Sequence, residues 1–257
     1  MNRITQSIHR LLIMTNWLVI GGFGIYAFLN PETTGIGFVA FFIAGCNQDT
    51  QATIGHAIDA ASEHYKVEFE NEYVRVIRVT YNPGESSAMH SHKPLVGVTL
   101  TGGQGIFTDV DGNAETRPEN FAGDILSDGG ETHSVLSISK GFEELIFVEV
   151  KQKYPSIGSD IPNSILIDSM NSKVEMEEHG IRVIRSKAPV GGGSPMHSHG
   201  AGVTVSLTDQ KTMHTSIDGD VSEVNLKAGS VNWREEVTHS GKNMNDADLE
   251  IILFELM

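Results

Sequence analysis

A twenty-residue motif occurs twice in this chain, and its duplication restricts the folds that the chain can adopt. Residues 73–92 are YVRVIRVTYNPGESSAMHSH, and residues 180–199 are GIRVIRSKAPVGGGSPMHSH. At an offset of 107 positions ten of the twenty residues are identical, and both copies end in Met-His-Ser-His. Self-similarity at one fixed offset is the mark of an internal repeat. We therefore expect two copies of one fold.

The similarity extends on both sides of the motif. KVEFE at 66–70 aligns with KVEME at 173–177, and we align GVTLT at 97–101 with GVTVS at 202–206. Each copy then closes with a run rich in apolar residues. The predicted limits are 65–152 for the first repeat, 153–172 for a linker and 173–257 for the second repeat.

Local sequence signals in both repeats favour strands. Short runs rich in Val, Ile, Thr and Phe are typical of β-structure, and neither repeat has a long amphipathic helical pattern. Asp111-Gly112 and Asp218-Gly219 stand between such runs, where Asp-Gly favours a tight hairpin. Many short strands at regular spacing predict an all-β barrel or sandwich for each repeat. Within the linker, a short strand is expected at 165–167.

Each repeat carries three histidines at matched positions. The two histidines of each Met-His-Ser-His segment are one residue apart, so on a strand both rings face the same side. A third histidine lies 43 residues after His90 and 42 residues after His197, and six of the eleven histidines are matched in this way. Imidazoles that converge on one point suit Fe, Mn, Ni, Cu or Zn, so a divalent metal ion is the predicted cofactor. The predicted metal ligands are His90, His92 and His133 in the first repeat and His197, His199 and His239 in the second.

The charge and cysteine content exclude some classes of protein. The net charge is −15, and no cluster of Lys or Arg is present, so a nucleic-acid partner is not expected. The single cysteine, Cys46, excludes an internal disulfide framework. A small-molecule ligand is the expected partner, and homodimerisation is left open.

The N-terminal region predicts attachment to a membrane. Residues 11–29 are free of charge over 19 positions, long enough for a helix to cross a bilayer, and Arg3 and Arg10 precede them. A second apolar stretch ends in Ile43-Ala44-Gly45-Cys46, which resembles the lipobox of bacterial lipoproteins, with Cys46 as the lipidation site. The alternative is a plain membrane anchor. Either way, 1–45 is a signal peptide or anchor, 46–64 is a polar tether, and the predicted location is the cell envelope, outside the cytoplasmic membrane.

The glycine and histidine spacing resembles the two conserved motifs of the cupin superfamily. Gly84 precedes His90 by six positions, and Gly123 precedes His133 by ten. The second repeat has the same spacings, from Gly191 and Gly229 to its own histidines, and Asn243 matches the end of the second motif, where the first repeat has Ser137. The resemblance covers nearly all of the chain beyond residue 64. It implies a bicupin, with two tandem double-stranded β-helix barrels of the jelly-roll (RmlC-like) type and a metal pocket in each.

Both repeats depart from the cupin pattern at one position. The first cupin motif usually has a Glu ligand shortly after its second His, whereas these repeats have Val96 or Gly97 and Val203 or Thr204. What remains resembles the three-histidine cupins, among them the thiol and β-diketone dioxygenases. The departure disfavours chemistry of the oxalate decarboxylase type, because those enzymes use the Glu ligand.

The sequence leaves the reaction open. Three neutral imidazoles would not compensate the charge of a divalent ion, so a small anionic or chelating ligand is expected, with a dioxygenase-type reaction as the first hypothesis. A non-catalytic, ligand-binding or metal-binding lipoprotein of the cell envelope is the second hypothesis, and a duplicate whose histidines only pack is the third. No catalytic residue is assigned, and Glu131, Glu235 and Glu236 are as consistent with solvated loops as with proton transfer. His214 has no matched histidine and is expected to be structural or exposed.

Overall fold

The computed structural model of the protein describes residues 53–257 and a short pairing of Val19–Ile20 (β1) with Phe23–Gly24 (β2). Apart from these four residues, the predicted membrane segment lies outside the described residues, as do the lipobox-like tetrapeptide and Cys46. Among the described residues, no helix has the length and apolar character that crossing a membrane requires. Residues 53–257 form one compact unit, and its structure is all-β.

The two repeats have the same elements in the same order. The first repeat consists of α1 (Ala57–Ala60), β3 (Tyr65–Glu70), β4 (Val74–Tyr81), β5 (His90–Ser91), β6 (Leu95–Thr99), β7 (Gly105–Asp109), β8 (Ala114–Thr116), β9 (Ile125–Asp128), β10 (Thr132–Ser137) and β11 (Glu143–Val150). The second consists of α2 (Ser164–Ile167), β12 (Ser172–Glu178), β13 (Ile181–Ala188), β14 (Gly193–His199), β15 (Gly202–Ser206), β16 (Gln210–Ser216), β17 (Val221–Leu226), β18 (Val231–Arg234), β19 (Val237–Asn243) and β20 (Leu249–Leu256).

Each repeat folds into one five-stranded and one four-stranded antiparallel sheet. The five-stranded sheets have the orders β3-β4-β11-β6-β9 and β12-β13-β20-β15-β18. The four-stranded sheets have the orders β5-β10-β7-β8 and β14-β19-β16-β17. Strand by strand the two orders are identical, which confirms that the sequence repeat is a repeat of structure. The four-stranded sheets carry five of the six matched histidines, and His92 directly follows β5.

The strand register corrects one part of the sequence alignment. Leu95 pairs with Glu149, and Gly202 pairs with Glu255, the residue at the same place in the second repeat. Leu95 is therefore the counterpart of Gly202, and the alignment of 97–101 with 202–206 is wrong by two residues. The sequence alignment followed the similarity of two short Gly-Val-Thr runs. In the structure, the hydrogen bonds between strands determine which residues lie opposite each other.

Both short helices begin with a capping side chain and lie against the repeat that follows them. His56 Nδ1 accepts a hydrogen bond from the backbone N–H of Ile58, and Asn163 Oδ1 accepts one from Leu166. Ala57 in α1 is fully buried in the core of the first repeat. His56 and α1, which the sequence assigns to a tether, therefore pack against the first repeat. In the linker, 164–167 is a helix and not the expected strand, because the Asn163 cap favours a helical turn.

One hydrophobic cluster joins the two five-stranded sheets. It contains valines and isoleucines from β4, β6 and β11 together with those from β13, β15 and β20, with Phe254 among its largest members. An antiparallel sheet commonly leaves one face in water, but here all five residues of Leu95–Thr99 are buried. Trp233 extends the contact and stacks on Tyr73 with ring centroids 6.0 Å apart. The two repeats therefore share a core.

Two arginines at matched positions connect the repeats; we call Arg78 and Arg185 the arginine pair. Arg78 Nη2 donates to the carbonyl of Gly229 at 2.7 Å, and Arg185 Nη2 donates to the carbonyl of Gly123 at 2.6 Å. Each guanidinium is also held by two glutamates of its own repeat. Gly229 and Gly123 take positive φ angles of 80° and 88°, which non-glycine residues rarely adopt. Gly123 and Gly229 thus place their carbonyl groups where an arginine of the other repeat donates a hydrogen bond to them.

Candidate metal centres

Strand pairing brings the three histidines of the second repeat together. His197 and His199 alternate with Ser198 on β14, so both rings point to the interior of the repeat. His239 on β19 pairs directly with His197 across the sheet. One nitrogen from each of the three rings lies within 4.8 Å of the others. The predicted second-repeat histidines are therefore close enough to share a single ion.

The hydrogen bonds of the first two rings fix where their protons lie. His197 Nδ1 lies 2.7 Å from the carbonyl oxygen of Pro195, which can only accept, so Nδ1 carries the proton. His199 Nδ1 lies 3.1 Å from Oε1 of Glu255 and donates to it in the same way. The two Nε2 atoms are then both acceptors, yet they lie 2.7 Å apart. Two lone pairs at this distance need a cation or a shared proton between them.

Burial keeps these imidazoles neutral. Loss of solvent lowers the pKa of His197 and the pKa of His199, and it lowers the pKa of His239 to about 2. A neutral imidazole is the form that binds metal, and protons compete poorly for a ring whose pKa is low. The donor set, with Nδ1 of two rings held by a carbonyl and a carboxylate, fits a divalent transition-metal ion.

The first repeat gathers a different group. His92, His133 and Asp128 each offer a ligand atom within 4.8 Å of the others, whereas His90 does not belong to that group. The ring centroid of His90 lies 5.0 Å from that of His133 and 6.2 Å from that of His92. The structure thus places two of the predicted first-repeat histidines together and adds a carboxylate that the sequence did not identify.

His90 is nevertheless poised as an acceptor. Its Nδ1 donates to the carbonyl of Ala88 at 2.8 Å, the same arrangement as in His197, so its Nε2 has a free lone pair. That Nε2 is buried and has no hydrogen-bond partner among residues 53–257. Burial lowers the pKa of His90, and it lowers the pKa of His133 to about 4. The three predicted rings of the first repeat lie near one another, with ring centroids 5.0 to 6.2 Å apart.

One substitution distinguishes the surroundings of the two centres. Asp128 pairs with Leu95 across the first-repeat sheet, and Arg234 pairs with Gly202, the counterpart of Leu95. A carboxylate and a guanidinium thus occupy the same position of the two repeats. Burial lowers the pKa of Arg234 to about 10, so it remains charged at neutral pH. The second-repeat centre therefore has a cation beside it where the first has an anion.

The glutamate next to each centre also has a different partner in each repeat. Glu255 accepts from His199 and lies 3.3 Å from Arg234 Nη2. Its counterpart Glu149 is fully buried and lies 2.8 Å from His56 Nε2 instead. In the second repeat this glutamate orients the candidate ligand His199. In the first repeat its counterpart contacts His56, the residue before α1.

His214 faces the interior, so the expectation that it is structural or exposed is wrong in part. Its ring lies against His239 with centroids 4.4 Å apart, and its Nε2 lies 3.1 Å from Thr212 Oγ1. The register places Phe107 at the same position of the first repeat, where it packs on His133 at 5.0 Å. In both repeats, therefore, an aromatic ring packs against the third histidine.

The glutamates considered for proton transfer are engaged in other contacts. Glu131 forms an ion pair with Arg117. Glu235 accepts from the Tyr154 hydroxyl at 2.6 Å, and Glu236 accepts from the backbone N–H of Ile157 at 3.0 Å. The last two bonds fasten the linker to the second repeat. These contacts favour structural roles for all three glutamates.

Each centre opens into a cavity. The second-repeat cavity has a volume of about 540 Å³, and its lining combines apolar side chains with polar ones that include His199, His214, His239, Asn232 and Arg234. The first-repeat cavity is smaller, about 260 Å³, and is lined by His92, Asp128, His133, Phe107 and Arg117 among others. The larger volume lies in the range of small-molecule sites, so the second repeat offers more room for a ligand.

Solved structures with a similar fold have low sequence identity to this chain. A variant of oxalate decarboxylase from Bacillus subtilis matches with a TM-score of 0.51 and 12% identity, over 72% of this chain and 69% of that chain. AerE from Microcystis aeruginosa matches with a TM-score of 0.52 and 16% identity, over 76% of this chain and 97% of that chain. The fold is cupin-like. No family model and no curated protein matches the sequence.

A cupin 2 conserved barrel domain protein from Leptotrichia buccalis is also similar, with a TM-score of 0.46 and 12% identity, over 75% of this chain and 88% of that chain. At such identities the likeness concerns the fold alone. What binds at the two centres has to be inferred from the residues of this chain.

Proposed function

We propose that residues 53–257 form a metal-binding bicupin in which each repeat holds one divalent ion. In the second repeat His197, His199 and His239 supply three nitrogen donors. The observation that carries the proposal is the approach of two Nε2 atoms to 2.7 Å while the Nδ1 protons of both rings are donated elsewhere. A divalent ion removes the repulsion between these lone pairs. Fe, Mn, Ni, Cu and Zn all suit such a donor set.

For the first repeat we propose an ion held by His92 and His133, with a third ligand from His90 or Asp128. The sequence favours His90, whose Nε2 is buried and without a hydrogen-bond partner in the described part of the chain. The distances favour Asp128. Two histidines with one carboxylate are the donor set of many non-haem iron oxygenases, which supports a dioxygenase-type reaction on a small anionic or chelating molecule.

A non-catalytic binding protein is the second candidate function. Glu235 and Glu236 favour this function, because both carboxylates bind the linker. Neither of the two is therefore free to transfer a proton. In this case the centre would bind a ligand and release it unchanged.

Metal content of the purified full-length chain tests the proposal. We expect close to two divalent ions per chain by elemental analysis after reconstitution, and fewer in His197→Ala and His239→Ala. His179→Asn, at an exposed histidine outside both centres, is the matched control. Oxygen uptake by the iron-loaded protein with a panel of acids, thiols and diketones separates the two candidate functions. Less than a small fraction of an equivalent of metal would refute metal binding.

We further propose that the chain is anchored in the cell envelope through its N-terminus, by acylation of Cys46 or by the apolar segment itself. Support comes from the sequence alone. Mass spectrometry of the mature N-terminus distinguishes the two modes, because an acylated protein begins at Cys46 and carries lipid, whereas a plain anchor retains the preceding residues.

A further inference from the structure

Two donors in the second-repeat cavity lack acceptors. Asn232 and Arg234 are two residues apart on β18, so their side chains point to the same face, and both line the cavity. Asn232 Nδ2 and Arg234 Nε are buried, and neither has a hydrogen-bond partner among residues 53–257. A buried donor without an acceptor costs roughly 1–3 kcal/mol, so a ligand that supplies the acceptor would stabilise these two groups.

The charges nearby identify the kind of acceptor. One guanidinium nitrogen of Arg234 is occupied by Glu255, at 3.3 Å, and Nε has no hydrogen-bond partner in the described part of the chain. Among residues 53–257, Glu255 is the only carboxylate within 4.0 Å of the Arg234 guanidinium nitrogens. A planar guanidinium beside an amide donor matches the two oxygens of a carboxylate, which accept parallel hydrogen bonds.

The first repeat has neither donor at the matched positions, and the arginine of its cavity, Arg117, is paired with Glu131. The register places Leu126 opposite Gly97, as Asn232 lies opposite Thr204, and Asp128 replaces Arg234. An apolar residue and a carboxylate at these positions offer nothing to an anion. The inward-facing residues of β9 and β18 therefore present different groups to a ligand, which separates the ligand preferences of the two cavities.

We propose that the second-repeat cavity binds a small carboxylate-bearing molecule, whose carboxylate accepts hydrogen bonds from Arg234 and Asn232. This deepens the proposed function, because it names the substrate class for the cavity beside His197, His199 and His239. The remainder of the ligand extends toward these histidines. The first-repeat cavity does not bind such a molecule, and each chain takes up one carboxylate ligand.

Calorimetric titration of the full-length chain with malonate tests the proposal, with malonamide as the uncharged probe of the same shape. We expect saturable malonate binding at one site per chain and no binding of malonamide. Arg234→Met should weaken malonate binding about tenfold or more, since hydrogen bonds to charged groups contribute roughly 1.5–3 kcal/mol. Arg234→Lys should retain part of the affinity, and Asn232→Leu, which installs the first-repeat residue, should weaken it less than Arg234→Met.

Arg117→Met, which alters the arginine of the first-repeat cavity, is the matched control and should leave malonate binding unchanged. Thermal melting and metal content of each variant separate loss of the fold from loss of the anion contact. The proposal is overturned if Arg234→Met binds malonate as the unaltered protein does, if malonamide binds equally well, or if inorganic phosphate binds more tightly than malonate.

Titrating both metal-free and metal-loaded protein distinguishes this proposal from the proposed function. Malonate binding that depends on Arg234 in protein unable to retain metal would support the carboxylate site and contradict the metal centre. Full metal content without malonate binding would support the metal centre and contradict the carboxylate site.

Discussion

His56 Nε2 lies 2.8 Å from Oε1 of Glu149, whose side chain is only 1% exposed. His56 precedes the first helix and lies in the stretch that the composition assigns to a tether. Oε1 of Glu149 also accepts a hydrogen bond from the backbone N–H of Lys93 at 3.2 Å, and Oε2 lies 3.8 Å from Nη1 of Arg75. The residues before β3 are therefore part of the folded structure.

Replacing His56 should destabilise the protein. We expect His56→Ala to lower the free energy of unfolding by about 2 kcal/mol, because it removes a hydrogen-bond donor from a buried carboxylate. Urea denaturation measures the change. Glu149→Gln in the same background should recover part of the loss, since a neutral amide costs less to leave without a charged partner. An effect no larger than that of His179→Asn would contradict a structural role for the segment.

The arginine pair should contribute to the association of the two repeats. Arg78→Met and Arg185→Met each remove a charged hydrogen bond to a carbonyl of the other repeat, and each should lower the free energy of unfolding by about 2 kcal/mol. Chemical denaturation measures both. The control is Arg182→Met, at an arginine that pairs with Glu177 of its own repeat. Equal losses in all three variants would show that the contacts across the repeats add nothing.

Stability at acid pH should depend on Glu175. Its hydrogen bond to Arg185 lowers the pKa of the Glu175 carboxyl below the ordinary value of 4.5. A carboxyl with a lowered folded-state pKa stabilises the fold above its unfolded-state pKa, and that contribution is lost as pH falls through the folded-state pKa. Glu175→Gln should therefore reduce stability at neutral pH, with a difference from the unaltered protein that shrinks below about pH 4. Glu115→Gln, at an exposed glutamate, should show no such trend in pH-dependent denaturation.

Asp128→Asn tests the third ligand of the first repeat. If Asp128 coordinates the ion, the variant should lose first-repeat metal and retain second-repeat metal, because an amide oxygen is a weaker ligand than a carboxylate. Elemental analysis of Asp128→Asn, alone and combined with His239→Ala, measures this. Glu131→Gln, which alters a nearby carboxylate outside the group, is the control. Full metal content in Asp128→Asn, with loss in His90→Ala, would assign the position to His90.

His214→Phe exchanges a second-repeat ring for its first-repeat counterpart. Because Phe107 already packs on His133 in the same way, the variant should keep its metal and change the free energy of unfolding by less than about 1 kcal/mol. Thermal melting and elemental analysis provide the measurements. Loss of second-repeat metal would instead make His214 a ligand.

The sequence was sufficient for the repeated all-β fold and for the convergence of the second-repeat histidines. Strand alternation places His197 and His199 on one face, and the fixed offset between copies identifies His239. The same spacing did not reveal Asp128, because a candidate carboxylate ligand on β9 can be identified only when its strand is aligned with β18. The sequence did not identify Arg234 and Asn232 as candidate site residues for the same reason.

The errors have a common cause. The Gly-Val-Thr alignment, the strand expected at 165–167 and the expectation for His214 all rested on local similarity. The structure decides these points through contacts between distant segments, such as the pairing of Leu95 with Glu149 or the packing of His214 on His239. Local patterns carry little information about such contacts.

The core shared by the five-stranded sheets has a consequence for the independence of the two halves. Expressed alone, either half would expose the apolar sheet face that its twin now covers, and two identical fragments would meet through that face. The intact chain is in effect a dimer whose subunits are joined by a peptide linker. Any association between complete chains must therefore employ a different surface.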